Sequence, residues 1–118
     1  MNMKNFKKLK VWEISREVAT EVYKLCKELS REDSYIFSSQ MVRAAISIPS
    51  NIAEGASRAS KKDFKRFLGI SLGSSFELET QISILNDLKL SSESKASSIL
   101  VKNNEVQKML HGLMKTLD

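Results

Sequence analysis

Pro49 is the feature that most constrains the fold, because it is the only proline in the chain and it interrupts a helical pattern. Apolar or small residues recur at steps of three and four on both sides of it, as one helix face requires: Phe37, Met41, Ala44, Ala45, Ile48, Ile52 and Ala56. An interior proline lacks one backbone N–H and costs a helix about 3 kcal/mol unless other groups compensate. We therefore predict a kinked helix that continues through Pro49.

The stretch around this proline reads Ser-Ile-Pro-Ser-Asn-Ile-Ala-Glu-Gly from Ser47 to Gly55. Short hydroxyl and amide side chains can bond backbone groups that a bent helix leaves open, and Ser47, Ser50 and Asn51 are the local candidates. We interpret the stretch as a structural motif that shapes the fold. The alternative is a direct role in ligand binding. The residues that define this structural motif, which we call the proline motif, are Ser47, Pro49, Asn51, Glu54 and Gly55.

The length of 118 residues fits one domain, and four glycines with one proline favour long helices and few turns. The longest apolar runs are too short for a membrane span, and no secretory leader is recognisable. The single cysteine, Cys26, cannot form an internal disulfide. We expect a cytoplasmic protein with no membrane contact.

Four amphipathic segments predict four helices. The first runs from Leu9 or Val11 to about Leu29, and the second begins after a polar connector at 30–34 and ends near Arg58 or Ala59. Ser60 is the predicted N-cap of the third helix, with Asp63 completing a capping box. Ser91 or Ser92 caps the fourth, which begins at Glu93. The fold class is all-α: a single domain, 1–118, forming an antiparallel up-down-up-down four-helix bundle with a proline-kinked second helix.

Small residues cluster halfway along the third helix, where glycine is costly unless another backbone approaches closely. Phe67, Ile70 and Phe76 lie off the main apolar seam of this helix. We therefore expect a second buried face, either within the bundle or against another subunit. The second possibility predicts a homo-oligomer.

The chain carries little catalytic chemistry. It has one cysteine and one histidine, His111, so it offers neither the groups of a nucleophilic site nor the paired histidines of a di-iron bundle. No cysteine pair has zinc spacing, and no glycine-rich turn follows a strand. We predict no enzyme activity, no cofactor and no metal.

Several polar residues fall on helices that we expect to be largely buried. Arg43 should then pair with a carboxylate of the third helix, and Glu54 with an arginine or lysine, because an unpaired buried charge is costly. The expected network comprises Gln40, Arg43, Glu77 and Glu79. We interpret it as structural.

Basic residues form two clusters within a formal net charge of +5. Both clusters could meet phosphate, and the alternative is ordinary solvated charge at helix ends. In the second cluster only Asp63 opposes the cations, and no aromatic residue interleaves either cluster, so base stacking has little support. The candidate nucleic-acid-binding residues are Lys4, Lys7, Lys8 and Lys10 in the first cluster and Arg58, Lys61, Lys62, Lys65 and Arg66 in the second.

Nearly the whole chain resembles the four-helix-bundle proteins encoded by intervening sequences within bacterial 23S ribosomal RNA genes. The stretches that carry the resemblance are Leu9 to Trp12, Ser39-Gln40, Arg43-Ala44-Ala45, Ser47 to Gly55, Lys62-Asp63-Phe64, Arg66-Phe67-Leu68 and Gly73 to Glu79. The fold also resembles the accessory protein of diversity-generating retroelements.

The resemblance implies a small basic bundle that forms homopentamers and associates with RNA or DNA. A nucleic-acid-binding accessory protein is one reading. The alternative is an interaction module that docks an acidic protein partner such as a reverse transcriptase. The sequence does not separate the ribosomal-intervening group from the retroelement group.

Overall fold

Residues 5–118 are described by the structure, a computed structural model, and they form a short 3₁₀ turn followed by four α-helices. The turn spans Phe6–Lys8. The helices are α1 (Lys10–Lys27), α2 (Arg31–Ala56), α3 (Lys61–Asp87) and α4 (Glu93–Thr116). No strand occurs in this part of the chain. The predicted all-α fold is confirmed.

Each helix packs on the next along the chain, and α1 also packs on α4, which gives a bundle of 44 × 21 × 20 Å. Between α1 and α4, Glu28 pairs with Lys95 and Glu21 pairs with Lys102. The two helices are therefore antiparallel. The up-down-up-down course of the whole chain stays a prediction.

Serine side chains set the starts of three helices. Ser30, Ser60 and Ser92 each accept a hydrogen bond from the backbone N–H three residues later, which satisfies a donor that the first turn leaves open. The predicted caps at Ser60 and Ser92 are confirmed. Because Ser30 is itself a cap, the predicted connector at 30–34 was too long, and most of it belongs to α2.

Two other local predictions were wrong. The second helix ends at Ala56, before the predicted Arg58 or Ala59. Asp63 does not complete the capping box, because its carboxylate accepts a hydrogen bond from the Arg66 guanidinium instead of the Ser60 N–H. A charged donor one turn along the helix offers the stronger, charge-assisted bond.

The core lies along the bundle axis and follows the predicted seams of α2 and α3. Ile48, Ile52, Leu68, Leu78 and Ile82 are fully buried. Together with apolar residues of α1 and α4 they form one continuous cluster. None of the helices in residues 5–118 is long and apolar enough to cross a membrane.

The helix α2 continues through Pro49, which is buried in its interior. Two nearby carbonyls gain additional donors: the Asn51 amide donates to the Ser47 carbonyl at 2.8 Å, and the Ser71 hydroxyl donates to the Ile48 carbonyl at 2.9 Å. Neither of these carbonyls is that of Ala45, the one that loses its helical donor at Pro49, so the two bonds brace the helix around the proline without replacing the lost bond. The kink itself stays a prediction.

Gly55 is where α2 and α3 approach too closely for a side chain. A Cβ atom built there would lie 2.7 Å from Phe67 Cβ and 2.9 Å from Phe64 Cδ1. Gly55 therefore allows two aromatic residues of α3 to pack directly against the backbone of α2. This contact places the end of the proline motif beside the start of α3.

A buried polar pair joins α3 to α4. The Ser75 hydroxyl donates to Asn103 Oδ1 at 2.7 Å, and the Asn103 amide donates back to the Ser75 carbonyl at 2.9 Å. Both side chains are fully buried, so the pair satisfies groups that would otherwise be costly. It explains why a polar residue, Asn103, lies on the apolar face of α4.

The outward side of α3 is not buried within the chain. Ile70 and Phe76 are 42% and 48% exposed, and a Cβ added at Gly73 would meet nothing within 4 Å. Of the predicted second face only Phe67 is buried. We expected a close approach of another backbone to explain the small residues of α3. Within residues 5–118 no such approach occurs at Gly73, so that explanation is wrong there.

Candidate nucleic-acid interface

The second basic cluster lies at the junction of α2 and α3, formed by the loop after Ala56 and the first two turns of α3. Arg58 lies in the loop, and the other four cations lie on α3. Lys61, Lys62 and Arg66 are exposed, whereas Lys65 is half-buried. A shallow recess of about 260 Å³ opens between this loop and the end of α4.

Three acidic residues oppose these cations, not Asp63 alone as predicted. Glu54 Oε1 lies 2.7 Å from Arg58 Nη2, in the kind of pair that we predicted for Glu54. Asp63 accepts from Arg66 Nε at 3.0 Å and lies 3.8 Å from Arg58 Nε. The third acid, Asp118 at the end of α4, pairs with Lys65. The sequence did not reveal this last pair because 53 positions separate its members.

Lys61 and Lys62 are the cations of this cluster left free. Neither has an ion-pair partner among residues 5–118. Both lie in the first turn of α3, where a positive charge adds to the positive end of the helix dipole. The junction therefore presents its strongest uncompensated positive charge at the start of α3.

Phe67 is the residue of this site that sequence reasoning missed. The Cζ atoms of Arg58 and Arg66 lie 4.8 and 4.4 Å from the centroid of its ring. An aromatic residue therefore does contact the basic cluster, contrary to the prediction. The adjacency of Arg66 and Phe67 in sequence was the available signal, but neighbours on a helix do not ordinarily face each other.

The first basic cluster lies at the start of the chain. Lys7 and Lys8 belong to the 3₁₀ turn, Lys10 begins α1, and all three are exposed. Lys4 lies outside the described residues. The Trp12 ring beside this cluster packs edge-on against Phe6 and has the Arg16 guanidinium 4.7 Å from its centroid.

Both clusters lie at the same end of the elongated bundle. The ion pairs between α1 and α4 place the start of α1 beside the end of α4, and the pair between Lys65 and Asp118 places the end of α4 beside the start of α3. We call this surface the basic end. Its residues are Lys7, Lys8, Lys10, Arg58, Lys61, Lys62, Lys65 and Arg66.

The expected buried polar network was wrong. Gln40, Arg43, Glu77 and Glu79 are all exposed, and Arg43 has no ion-pair partner in the part of the chain that the structure describes. Glu77 and Glu79 instead accept hydrogen bonds from glutamines, at 3.3 Å from Gln81 and 2.8 Å from Gln107. These residues face outward because small and apolar side chains of α2 and α3 occupy the contact between the two helices.

The proline motif is mostly a packing element. Ser47 and Ser74 hydroxyls lie 2.9 Å apart across the contact between α2 and α3, and the Asn51 amide also donates to the Ser47 hydroxyl at 3.0 Å. Only the end of the motif reaches the basic end, through the pair of Glu54 with Arg58.

The reactive side chains do not converge. Burial raises the pKa of the Cys26 thiol, against a smaller lowering by a hydrogen bond with Ser38. His111 is exposed on α4. Within residues 5–118 no group of three or more histidine, cysteine or acidic side chains is arranged to hold a metal ion.

Comparisons with known proteins agree with this architecture. A solved structure of a protein of unknown function from the S23 ribosomal protein family of Bacteroides thetaiotaomicron superposes with a TM-score of 0.83. It shares 28% sequence identity and covers 89% of this chain and 98% of its own. No curated protein matches the sequence.

The sequence model of the 23S rRNA-intervening sequence proteins matches residues 7–112. This range includes α1, α2, α3 and most of α4. It also includes every residue of the two basic clusters except Lys4. The chain therefore belongs to the family of 23S rRNA-intervening sequence proteins.

Proposed function

We propose that this protein is a non-enzymatic accessory protein that associates with nucleic acid, RNA or DNA, through its basic end. The observation that carries the proposal is that two separate lysine-rich segments lie at one end of the bundle, with Lys61 and Lys62 unpaired among residues 5–118. Phosphate contacts by lysine and arginine supply most non-specific nucleic-acid affinity. Sequence preference should therefore be slight.

The distribution of ion pairs refines which residues should contact phosphate. Arg58, Lys65 and Arg66 already have carboxylate partners, so a phosphate would have to compete for them. Lys61 and Lys62 face no such competition. We assign them the largest share of phosphate contact at the junction, with Lys7, Lys8 and Lys10 as the second group.

The test is binding of labelled structured RNA and duplex DNA by fluorescence anisotropy across a salt series. The variant Lys61→Gln/Lys62→Gln should lose affinity on every sequence, and its salt slope should fall by about 1.4–1.8 because each lost phosphate contact removes about 0.7–0.9. The control Lys24→Gln/Lys27→Gln makes the same charge change on exposed residues of α1 at the opposite end. It should bind as the parent does.

Equal binding by the parent and the Lys61/Lys62 variant would remove the junction from phosphate contact. That result would favour docking of an acidic protein partner, such as a reverse transcriptase, by the same basic surface.

A second property, self-association, is favoured by the outward side of α3. Ile70, Ile84 and Leu88 are between 42% and 55% exposed, and Gly73 lies between them on the same side of the helix with open space around it. Exposed apolar residues aligned on one face are typical of an interface. We propose that a second copy covers this face. The family resemblance supplies the number five for the assembly.

Light scattering coupled to gel filtration tests this assembly. The parent should elute as an oligomer, and Ile84→Glu should shift it toward the monomer, because the new carboxylate would be buried in the interface. The control Val101→Glu changes a residue of α4 that is 69% exposed and should leave the mass unchanged. A monomeric parent across a wide dilution range would overturn the proposal.

A further inference from the structure

We infer that Arg58, Phe67 and Arg66 form a stacking platform for an unpaired nucleobase, so that the preferred ligand of the basic end is a single-stranded segment. This inference rests on the proposed nucleic-acid association and adds which structural class of nucleic acid is bound. The two guanidinium carbons lie 4.8 and 4.4 Å from the Phe67 centroid, and the ring itself is buried. Guanidinium groups held over an aromatic ring at a basic site are suited to stacking on a base.

The outer sides of the two arginines remain accessible. The side chains of Arg58 and Arg66 are 41% and 60% exposed, although each is held against Phe67. Because a guanidinium group is planar, a face of it that the ring does not cover can receive a second planar group. Unpaired bases stack on arginine planes in this way, whereas paired bases in a duplex are already stacked on one another.

Ion pairs hold the platform in place before any ligand arrives. Asp63 accepts from Arg66 at 3.0 Å and lies 3.8 Å from Arg58 Nε, and Glu54 holds Arg58 at 2.7 Å. A side chain that is already ordered loses less conformational entropy on binding. Glu54, from the proline motif, and Asp63, from the first turn of α3, are thereby positioning residues for the two guanidinium groups.

The same ion pairs separate the roles of lysine and arginine. Arg58 and Arg66 are balanced by carboxylates, which weakens them as phosphate ligands but leaves their planar faces usable. Lys61 and Lys62 are unbalanced and suit phosphate. Lys62 and Arg66 are four residues apart on α3, so their side chains start about 5–6 Å apart on one face of the helix. One nucleic-acid strand can therefore bind Lys62 through a phosphate while one of its bases stacks on Arg66.

The experiment compares a short labelled single-stranded RNA, a DNA strand of the same sequence, and each strand annealed to its complement. Arg58→Lys/Arg66→Lys keeps both charges and removes both planes. The control Arg43→Lys makes the same change at an exposed arginine of α2 for which residues 5–118 provide no aromatic ring within stacking distance. Melting temperatures of all variants check that the fold is retained.

The parent should bind each single strand more tightly than its duplex. The double arginine variant should lose about fivefold or more of its single-strand affinity, because stacking contributes strongly to such binding, while its salt slope stays that of the parent. Tighter binding of the RNA strand than of the DNA strand would identify RNA as the source of the base, and the reverse order would identify DNA. The Arg43 variant should match the parent.

Three results would overturn the platform. One is unchanged single-strand affinity in the double arginine variant. Another is an equal loss of affinity for single strands and duplexes, which would mean that the arginines act only through their charge. The third is a parent that binds duplexes as tightly as single strands. In each of these cases a reduced salt slope for Lys61→Gln/Lys62→Gln would leave the proposed function standing, whereas a parent that binds no nucleic acid would end both.

Discussion

At the scale of single residues, Gly55 has a structural role that only the folded chain reveals. Its backbone packs against Phe64 and Phe67, and the room for a Cβ atom is absent. The sequence identified Gly55 as part of a structural motif, but a glycine in a helical pattern does not say which residues approach it. That information belongs to the contact between α2 and α3.

Gly55→Ala should therefore lower the free energy of unfolding by about 1–3 kcal/mol, the range for overpacking a close contact. Gly112→Ala is the matched control on α4, where an added Cβ would meet nothing within 4 Å. It should raise stability by about 0.5–1 kcal/mol through helix propensity alone. Urea denaturation measures both, and a Gly55→Ala protein as stable as the parent would contradict the packing described for this contact.

Cys26 provides a second prediction at this scale. Its thiol is buried, and burial raises its pKa, so the reactive thiolate is scarce in the folded protein at pH values below that pKa. Alkylation by iodoacetamide should be slow in the native state and should accelerate in urea. A native rate equal to the unfolded rate would show that the Cys26 side chain of α1 is not buried against α2.

At the scale of helices, the sequence predicted the helix caps at Ser60 and Ser92 but not which polar residues the contacts between helices leave exposed. Ser60 and Ser92 were recognisable as caps because capping needs only neighbours in sequence. Arg43 and Glu77 were misplaced as buried because the period of a helix gives its apolar face but not the width of the contact. Phe67 was missed for another reason: Arg58 reaches it from the loop before α3, and Arg66 is its neighbour in sequence.

The apolar face of α2 yields a matched pair of substitutions. Ile52 is fully buried three residues after Pro49, whereas Ile46 is 51% exposed three residues before it. Ile52→Ala should cost about 2–5 kcal/mol, and Ile46→Ala much less, because only the first leaves a cavity. Thermal unfolding followed by circular dichroism would reveal the difference. Equal melting temperatures for the two variants would mean that the proline motif is not central to the core.

At the scale of the whole molecule, the clusters at 7–10 and 58–66 share one end of the bundle because α1, α3 and α4 each bring one terminus to that end. The sequence located both clusters but could not place them at the same end of the bundle, since a linear chain does not give the neighbours of a helix end. It also could not show that Glu54 and Asp118, which lie outside α3, pair with two of the five junction cations, Arg58 and Lys65. Only the folded chain shows that Lys61 and Lys62 pair with no carboxylate of residues 5–118.

Lysine acetylation footprinting, read by mass spectrometry with and without bound RNA, tests the basic end most directly. Every lysine reports on its own surroundings, so the two ends of one molecule serve as test and control in a single measurement. We predict that RNA protects Lys7, Lys8, Lys10, Lys61 and Lys62 and leaves Lys24, Lys27 and Lys89 at the opposite end as reactive as before. Equal protection of both ends, or protection of the opposite end alone, would contradict it.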